Sequence, residues 1–523
     1  KKLTMRLHSI FNAFQRSRVL LFSSHSRMIS QMIIKSFRID PFRVLPKKFV
    51  TQNDFQIQNN DGHSNRVESE VMNKESITNK LNKQIFALGS KKRWRDILYL
   101  YQGHEKEMDF SNIAAIYSQL SKIKHVDKYD QGFHNFLYES MKRVKSEGMP
   151  KVGVRYFVTI LHSIAKLQLP NKSHSSKLIA ELESKENIQF LFDAKNVQSV
   201  SNCVWACASL REPLPLLFQL LDSNADRIFE NGTSQNLANC IWACAKLGIQ
   251  SPNLFQLLES KADWLLENGT SQNVANCIWA CGKLGIQSPN LFRSLDSQAD
   301  SLFDIGKPQD LAMCVWACGT LGVPLPKLFL LLESKADWLF ESGTPQNVAN
   351  CVWACAKLGI QSPNLFQSLE SKADWIFNSG NAQDVSNCVW ACATLGIQSP
   401  NLFRLLESKA DWLFQCGIPQ NVSNCVWACA TLGIQSPNLF DILESKIEWI
   451  YETSDAQVFS NCIWAIAEHG PLSQKIIDTV ALKSDWLISQ DNYVAVVMIV
   501  RSLAKHKVKS STLVTYLKEK AAS

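Results

Sequence analysis

The sequence predicts an all-α fold, a right-handed α-solenoid of stacked helical hairpins, and two sets of residues carry that expectation. Trp205, Trp242, Trp279, Trp316, Trp353, Trp390, Trp427 and Trp464 follow one another at an unbroken 37-residue step. Trp264, Trp338, Trp375, Trp412, Trp449 and Trp486 keep the same step, with Ser301 where one Trp is missing. A period of roughly 20 to 50 residues marks a repeat architecture, in which each unit packs only on its neighbours. Within a copy, end signals place two helices. The first starts near Ser271-Gln272 and closes at Leu284-Gly285, where glycine supplies a left-handed terminal residue. The second opens at Ser-Pro, as in Ser288-Pro289 or Ser399-Pro400, a capping hydroxyl before a proline in the first turn, and runs to a glycine such as Gly306.

Along the chain, residues 1–40 read as an organellar transit peptide. Residues 1–39 hold no Asp or Glu but carry Arg6, Arg16, Arg18, Arg27, Lys35 and Arg38 with Ser-rich pieces. A basic arm and an amphipathic surface helix are the competing readings. The mitochondrial matrix leads, with the chloroplast as the alternative. Residues 41–83 read as a disordered linker, since the run Gln56-Ile57-Gln58-Asn59-Asn60-Asp61-Gly62 has too little apolar surface to order itself. Residues 84–194 read as degenerate helical repeats, 195–490 as eight regular copies and 491–523 as a degenerate capping copy. Aligned on their closing Leu, the worn copies put Ala115 and His162 where the Trp belongs.

The net charge of +8 hides an asymmetry, because residues 202–490 hold 27 acidic against 16 basic side chains. The array is acidic and its flanks are basic, which argues against a simple electrostatic cradle for nucleic acid. Of 16 cysteines, 15 sit two before or two after a repeat Trp, as Cys277 and Cys281 do. Cys-x3-Cys lacks the second ligand pair of a zinc site, so these read as small buried hydrophobes in a reducing compartment, with no metal and no cofactor. No apolar run approaches the ~18 residues that span a bilayer, and no membrane partner is expected.

In the first helix Val274, Ala275, Cys277, Ile278, Trp279, Ala280 and Cys281 leave a narrow polar stripe of Gln272, Asn273, Asn276 and Lys283. The second helix carries Glu259, Asp263 and Glu267 on one face. First helices are therefore expected to line the inner surface and second helices the outer. The repeat Trp rings, set among Cys, Ala and Ile, read as core anchors, and on that reading Trp353→Ala would cost roughly 3–5 kcal/mol.

The unit Gln346 to Gly359, followed by Pro363 to Phe366, resembles the octotricopeptide and 37-residue heptatricopeptide repeats of organellar RNA-binding proteins. That group includes FAST kinase-like proteins and subunits of the RNA-editing substrate-binding complex. The resemblance implies about one nucleotide per hairpin, contacted by variable polar positions. Six residues before the Trp stand Asn236, Asn273, Asp310, Asn347, Asp384 and Asn421, and four after it Lys246, Lys283, Thr320, Lys357, Thr394 and Thr431. Variation on an exposed stripe suits base readout, and it equally suits a freely drifting solvated face. The fixed Gln seven before the Trp and the Asn three before it, replaced once by Met313, suit bonds to helix ends or to phosphate and sugar. Lys91, Lys92, Arg93 and Arg95 form a basic flank around Trp94 that could meet phosphate and stack on a base, or be a solvated helix start. The expected function is organellar single-stranded RNA binding in RNA processing, stability or translation, with other proteins of a ribonucleoprotein complex as further partners. A protein-interaction scaffold without RNA contact is the alternative. No catalytic constellation is present, so no enzyme is expected.

Overall fold

The computed structural model describes residues 64–194, 196–304 and 306–508, with 510, 512–515 and 519 beyond them. The transit segment expected at 1–40, and 41–63 of the expected linker, lie outside the described residues. All regular structure among the described residues is helical, and successive repeats pack in series, as an all-α solenoid requires. The chain divides into two compact units, residues 1–257 and 258–523.

The repeat holds three helices rather than the expected hairpin. In one copy these are Pro345–Leu358, Pro363–Ser371 and Ala373–Ser379. The predicted second helix breaks at Lys372 (φ −112°, ψ 23°), and at Lys335 and Lys409 in the flanking copies. The Lys372 amide still bonds Ser368 O at 3.0 Å, so the ladder is nearly kept while the axis turns. The turn lets the lysine reach back to the preceding copy: Lys335 Nζ donates to Phe303 O at 2.9 Å, and Lys372 Nζ lies 5.9 Å from the Phe340 ring centre. Phe340 in turn meets Trp375 at 6.0 Å, and Phe377 meets Trp412 at 6.1 Å, so the second Trp series joins consecutive copies.

First helices stack on first helices, among them Ser271–Leu284, Pro308–Leu321 and Pro345–Leu358 in the second unit. Small side chains make the approach close. A Cβ on Gly319 would meet the Ala354 Cα at 2.8 Å, and one on Gly282 would meet the Ala317 Cβ at 2.9 Å. The cysteines two before and two after each Trp are buried in this layer, and burial pushes the Cys281 and Cys355 thiols up to about 12, so they stay protonated. Cys416, outside the pattern, is exposed.

Second helices are capped from the preceding copy. Ser399 makes no cap bond to its own helix Pro400–Ser408; its hydroxyl donates instead to Glu370, which also accepts the Asn401 amide at 2.9 Å. Asp222 serves Ser251 and Asn253 in the same way, and Glu259, Glu333 and Glu407 accept the matching asparagine amide in the copies after them. A carboxylate replaces the expected hydroxyl because a negative acceptor bonds more strongly to the positive end of a helix. Much of the acidic row is thus structural, and Asp263 likewise accepts the Ser294 hydroxyl at 2.5 Å.

At the N-terminal side a helix spans Ser64–Ser90, so residues 64–83 are helical where a linker was expected. Leu81 and Ile85 are buried, the helix packs on Phe110–Leu120, and Asn82 Nδ2 donates to Ser111 Oγ at 2.8 Å. Asn112 Nδ2 also donates to Thr78 O at 3.0 Å, and these apolar and polar anchors fix a helix that composition alone marks as polar. At the other end, Tyr493–Lys505 packs on Ala456–His469 as a further first helix, with Lys505 paired to Glu468 at 2.8 Å.

The capping scheme separates two carboxylates four residues apart. Glu370→Ala should cost about 0.5–2 kcal/mol in urea unfolding, the range of a lost helix cap. Asp374→Ala, at an exposed position on the following short helix, should cost under about 0.5 kcal/mol in the same measurement.

Candidate nucleic-acid interface

Each regular first helix is buried on most sides and meets solvent along one stripe. In Ser271–Leu284 that stripe is Gln272, Asn276, Trp279 and Lys283, at steps of four, three and four residues, which align on one helix face. The same places are held by Gln346, Asn350, Trp353 and Lys357, and by Gln383, Asn387, Trp390 and Thr394. The repeat Trp is therefore half-buried at the surface, not a core anchor. Its neighbours in sequence, Cys and Ala, fill the core so completely that the ring is left at the helix boundary.

The rings form short ladders. In the first unit His162, Trp205 and Trp242 follow one another with centres 4.7 Å and 5.9 Å apart, the two indoles stacked at 23°. In the second unit Trp390 and Trp427 lie 6.4 Å apart at 31°. Burial, reinforced by Lys166, pushes the His162 imidazole down to about 4, so the ring is neutral at pH 7. Lysines four residues past a Trp fold over its ring: Lys246 Nζ is 5.9 Å from the Trp242 centre and Lys357 Nζ 5.8 Å from that of Trp353. Lys166 reaches forward over Trp205 at 5.8 Å. Lys246, Lys283, Thr320, Thr394 and Thr431 are exposed and Lys357 is half-buried, so this set of candidates shares the Trp face in its respective units.

The other set is not at the surface. Asn236, Asn273, Asp310, Asn347, Asp384 and Asn421 are all buried, at 4–9% exposure. Each side chain turns back to accept the amide of the residue before its helix: Asn236 Oδ1 from Thr233 at 3.0 Å, Asn347 from Thr344 at 3.0 Å, Asp384 from Asn381 at 3.1 Å and Asn421 from Ile418 at 3.0 Å. Asn236 and Asn421 also donate to Ser201 and Ser386 of the preceding first helix, at 2.9 Å and 3.2 Å. These positions close the helix start and tie neighbouring helices, which explains why six copies in a row hold only Asn or Asp there. The expected stripe is one residue out of register at this point, and the Gln seven before the Trp holds the exposed place.

Capping also corrects the alignment of a worn copy. Asp109 caps Phe110–Leu120 through Asn112, which is buried in a capping box like Asn236. Counted from that cap, Ser118 stands at the Trp position and Ala115 at the fixed Asn position. Phe110–Leu120 has 11 residues against 14 in Val197–Leu210, so an alignment on the closing Leu slips by three. Counted the same way from Gly153, His162 does hold the Trp place.

In the basic flank, Trp94 is buried at 8% exposure and Arg95 lies 4.3 Å over its ring, so the ring is taken by the protein. Arg93 pairs with Asp96, and Arg95 with Asp130 at 3.3 Å. Lys91 and Lys92 are exposed.

A family model described as RNA-editing substrate-binding complex 6 protein matches residues 103–333 and 326–523. The chain belongs to that family. The match spans the worn copies as well as the regular ones, and no curated protein matches the sequence.

With the Trp at the surface, Trp353→Ala should cost only about 1–2 kcal/mol in denaturant unfolding, below the range for a fully buried ring. Asp384 gives a pH signature. Burial raises its pKa above the ordinary 3.8, against a smaller lowering by the Asn381 amide, so its ionised form weakens the fold at neutral pH. Asp384→Asn keeps the capping acceptor and should raise the melting temperature at pH 7, with the gain fading as the pH falls through the raised folded-state pKa and gone once it is below the ordinary 3.8, where the aspartate is neutral in both states.

Proposed function

We propose that the protein binds single-stranded RNA directly, through the Gln, Asn, Trp and Lys or Thr face of its first helices, as a non-catalytic subunit of an RNA-editing assembly. The observation that carries this reading is the half-buried Trp row, flanked by amides and lysines. From the Gln to the Lys or Thr position no regular copy places a carboxylate on the stripe until Glu468, which Lys505 neutralises. Rings accept bases by stacking regardless of sequence, lysines meet phosphates, and amides serve sugar and phosphate oxygens. The family's description and the wider likeness to organellar repeat proteins support RNA as the ligand, and the acid-free residues 1–39 support a mitochondrial setting.

The same geometry bears on specificity. Positions that vary in hydrogen-bonding character, Asn against Asp, are buried at the helix starts, whereas the solvent-facing Gln and half-buried Asn hardly vary. Only the place four after the Trp varies at the surface, chiefly between ammonium and hydroxyl. The regular array therefore tracks the strand by backbone and stacking contacts with little base discrimination.

Binding of the full chain to short single-stranded RNAs should weaken with salt. Lys246, Lys283 and Lys357 replaced together by Thr, the residue three other copies hold there, should flatten the slope of log K against log salt by about 2. A folded wild-type chain that binds no single-stranded RNA would leave the protein-scaffold reading in its place.

A further inference from the structure

Over most of the array the stripe is filled by long side chains, but at one place in the first unit it opens. Counted from their caps, Ser111, Ala115 and Ser118 hold the positions that Gln198, Asn202 and Trp205 hold two first helices later. Three small residues thus replace an amide, a second amide and an indole. A basin of about 430 Å³ lies over them, walled by Asn82 and Phe86 on one side and by Arg155, Tyr156 and Gln198 on the other. That volume falls within the range of small-ligand pockets.

The lining is suited to one kind of occupant. Phe86 is 51% exposed, an unusual state for a phenylalanine on a helix whose Leu81 and Ile85 are buried. Asn82 spends its Nδ2 on Ser111, and its Oδ1 is buried without a hydrogen-bond partner. A buried acceptor left unpaired is costly, and a turn of the Asn82 amide toward the basin it lines would let a ligand N–H relieve it. Arg155, exposed at the rim, takes the place that Gln holds in every regular copy, and its guanidinium matches phosphate oxygens. A flat ring carrying N–H donors, attached to an anion, meets all three features.

We infer that this basin takes one nucleobase of the bound strand, the base against Phe86 with an N–H toward Asn82 Oδ1, and an adjoining phosphate on Arg155. The inference rests on the direct RNA-binding reading. It places in the first unit a point where a base enters the protein, whereas the Trp face elsewhere offers only a surface to stack on. Since Asn82 presents an acceptor, bases with an amino or imino N–H on the inserted edge are favoured there.

The test uses the full chain and single-stranded oligoribonucleotides substituted with 4-thiouridine. Ser118→Trp restores the residue of the regular copies and fills the basin from a half-buried site. Phe86→Ser removes the exposed ring and should leave the fold intact. Each variant should lower affinity at least about tenfold and abolish photocrosslinks to peptides containing Phe86 or Tyr156, while crosslinks to the helix Pro345–Leu358 persist. Arg155→Gln should also flatten the salt slope by about 0.7, one phosphate contact on a single strand. Unchanged affinity and unchanged crosslinks in folded Ser118→Trp and Phe86→Ser would overturn the basin while leaving RNA binding by the Trp face standing. A wild-type chain that binds none of the oligonucleotides would remove both readings.

Discussion

The structure depends on how closely one first helix can approach the next. Ala, Cys and Gly line that approach, and at Gly282 and Gly319 even a methyl group would collide with the following helix. Close packing of small residues buries the faces of the helix almost completely, with Cys277, Ile278, Ala280 and Cys281 at 0% exposure. An indole has no room in such a layer. The most hydrophobic large residue of the repeat is consequently pushed to its edge, where it leans on its neighbours and still faces solvent. What composition marks as the obvious core residue becomes the obvious surface feature, and the reason is steric.

A second consequence concerns polar groups. Short helices, three to a copy, leave many terminal amides and carbonyls without intrahelical partners. The repeat meets this need with side chains from adjoining copies. Glu370 serves the amide of Asn401, the buried Asn236 reaches Ser201, and Lys335 reaches the carbonyl of Phe303. Each of these bonds joins two copies. Fixed polar residues at the helix ends are thereby explained without invoking a ligand, which narrows the candidates for function to the Gln, Asn, Trp and Lys or Thr of the solvent-facing stripe.

The fold class was legible because a 37-residue period and glycine stops survive in the sequence, and the glycines at Gly285, Gly359 and Gly396 do adopt the left-handed conformation. The third helix was not legible: the break at Lys372 involves neither Gly nor Pro and is set by what the lysine reaches in the preceding copy. Half of the candidate site was legible, and the half is set by capping. Lys283 and Thr394 are polar near the closing end of a helix, where no cap claims them. Asn273 and Asp384 are equally polar by composition, but a capping box claims them, and the threonine or asparagine three residues earlier was the available signal. The helix Ser64–Ser90 was hidden because its anchors, Leu81 and Ile85, are few and their partners lie in another helix.

On the proposed function, an acidic array that tracks an anionic strand looks self-contradictory until charge is assigned to places. Glu259, Glu333 and Glu370 are held at the amino ends of second helices, where the helix and the capped amides already attract negative charge. Asp310 and Asp384 are buried and accept the amides of Lys307 and Asn381 at their helix starts. These carboxylates are bound to groups of the scaffold, and none of them occupies the solvent-facing Trp stripe. The lysines of the Trp face, by contrast, stand over rings of a kind that can stack on bases, so on the proposed function a single residue pair offers both contacts that a nucleotide needs. Net charge describes the whole chain, whereas recognition is decided by the few groups within reach of the ligand. In this repeat close helix packing selects those groups, because it turns the caps inward and leaves the indole and its lysine outside.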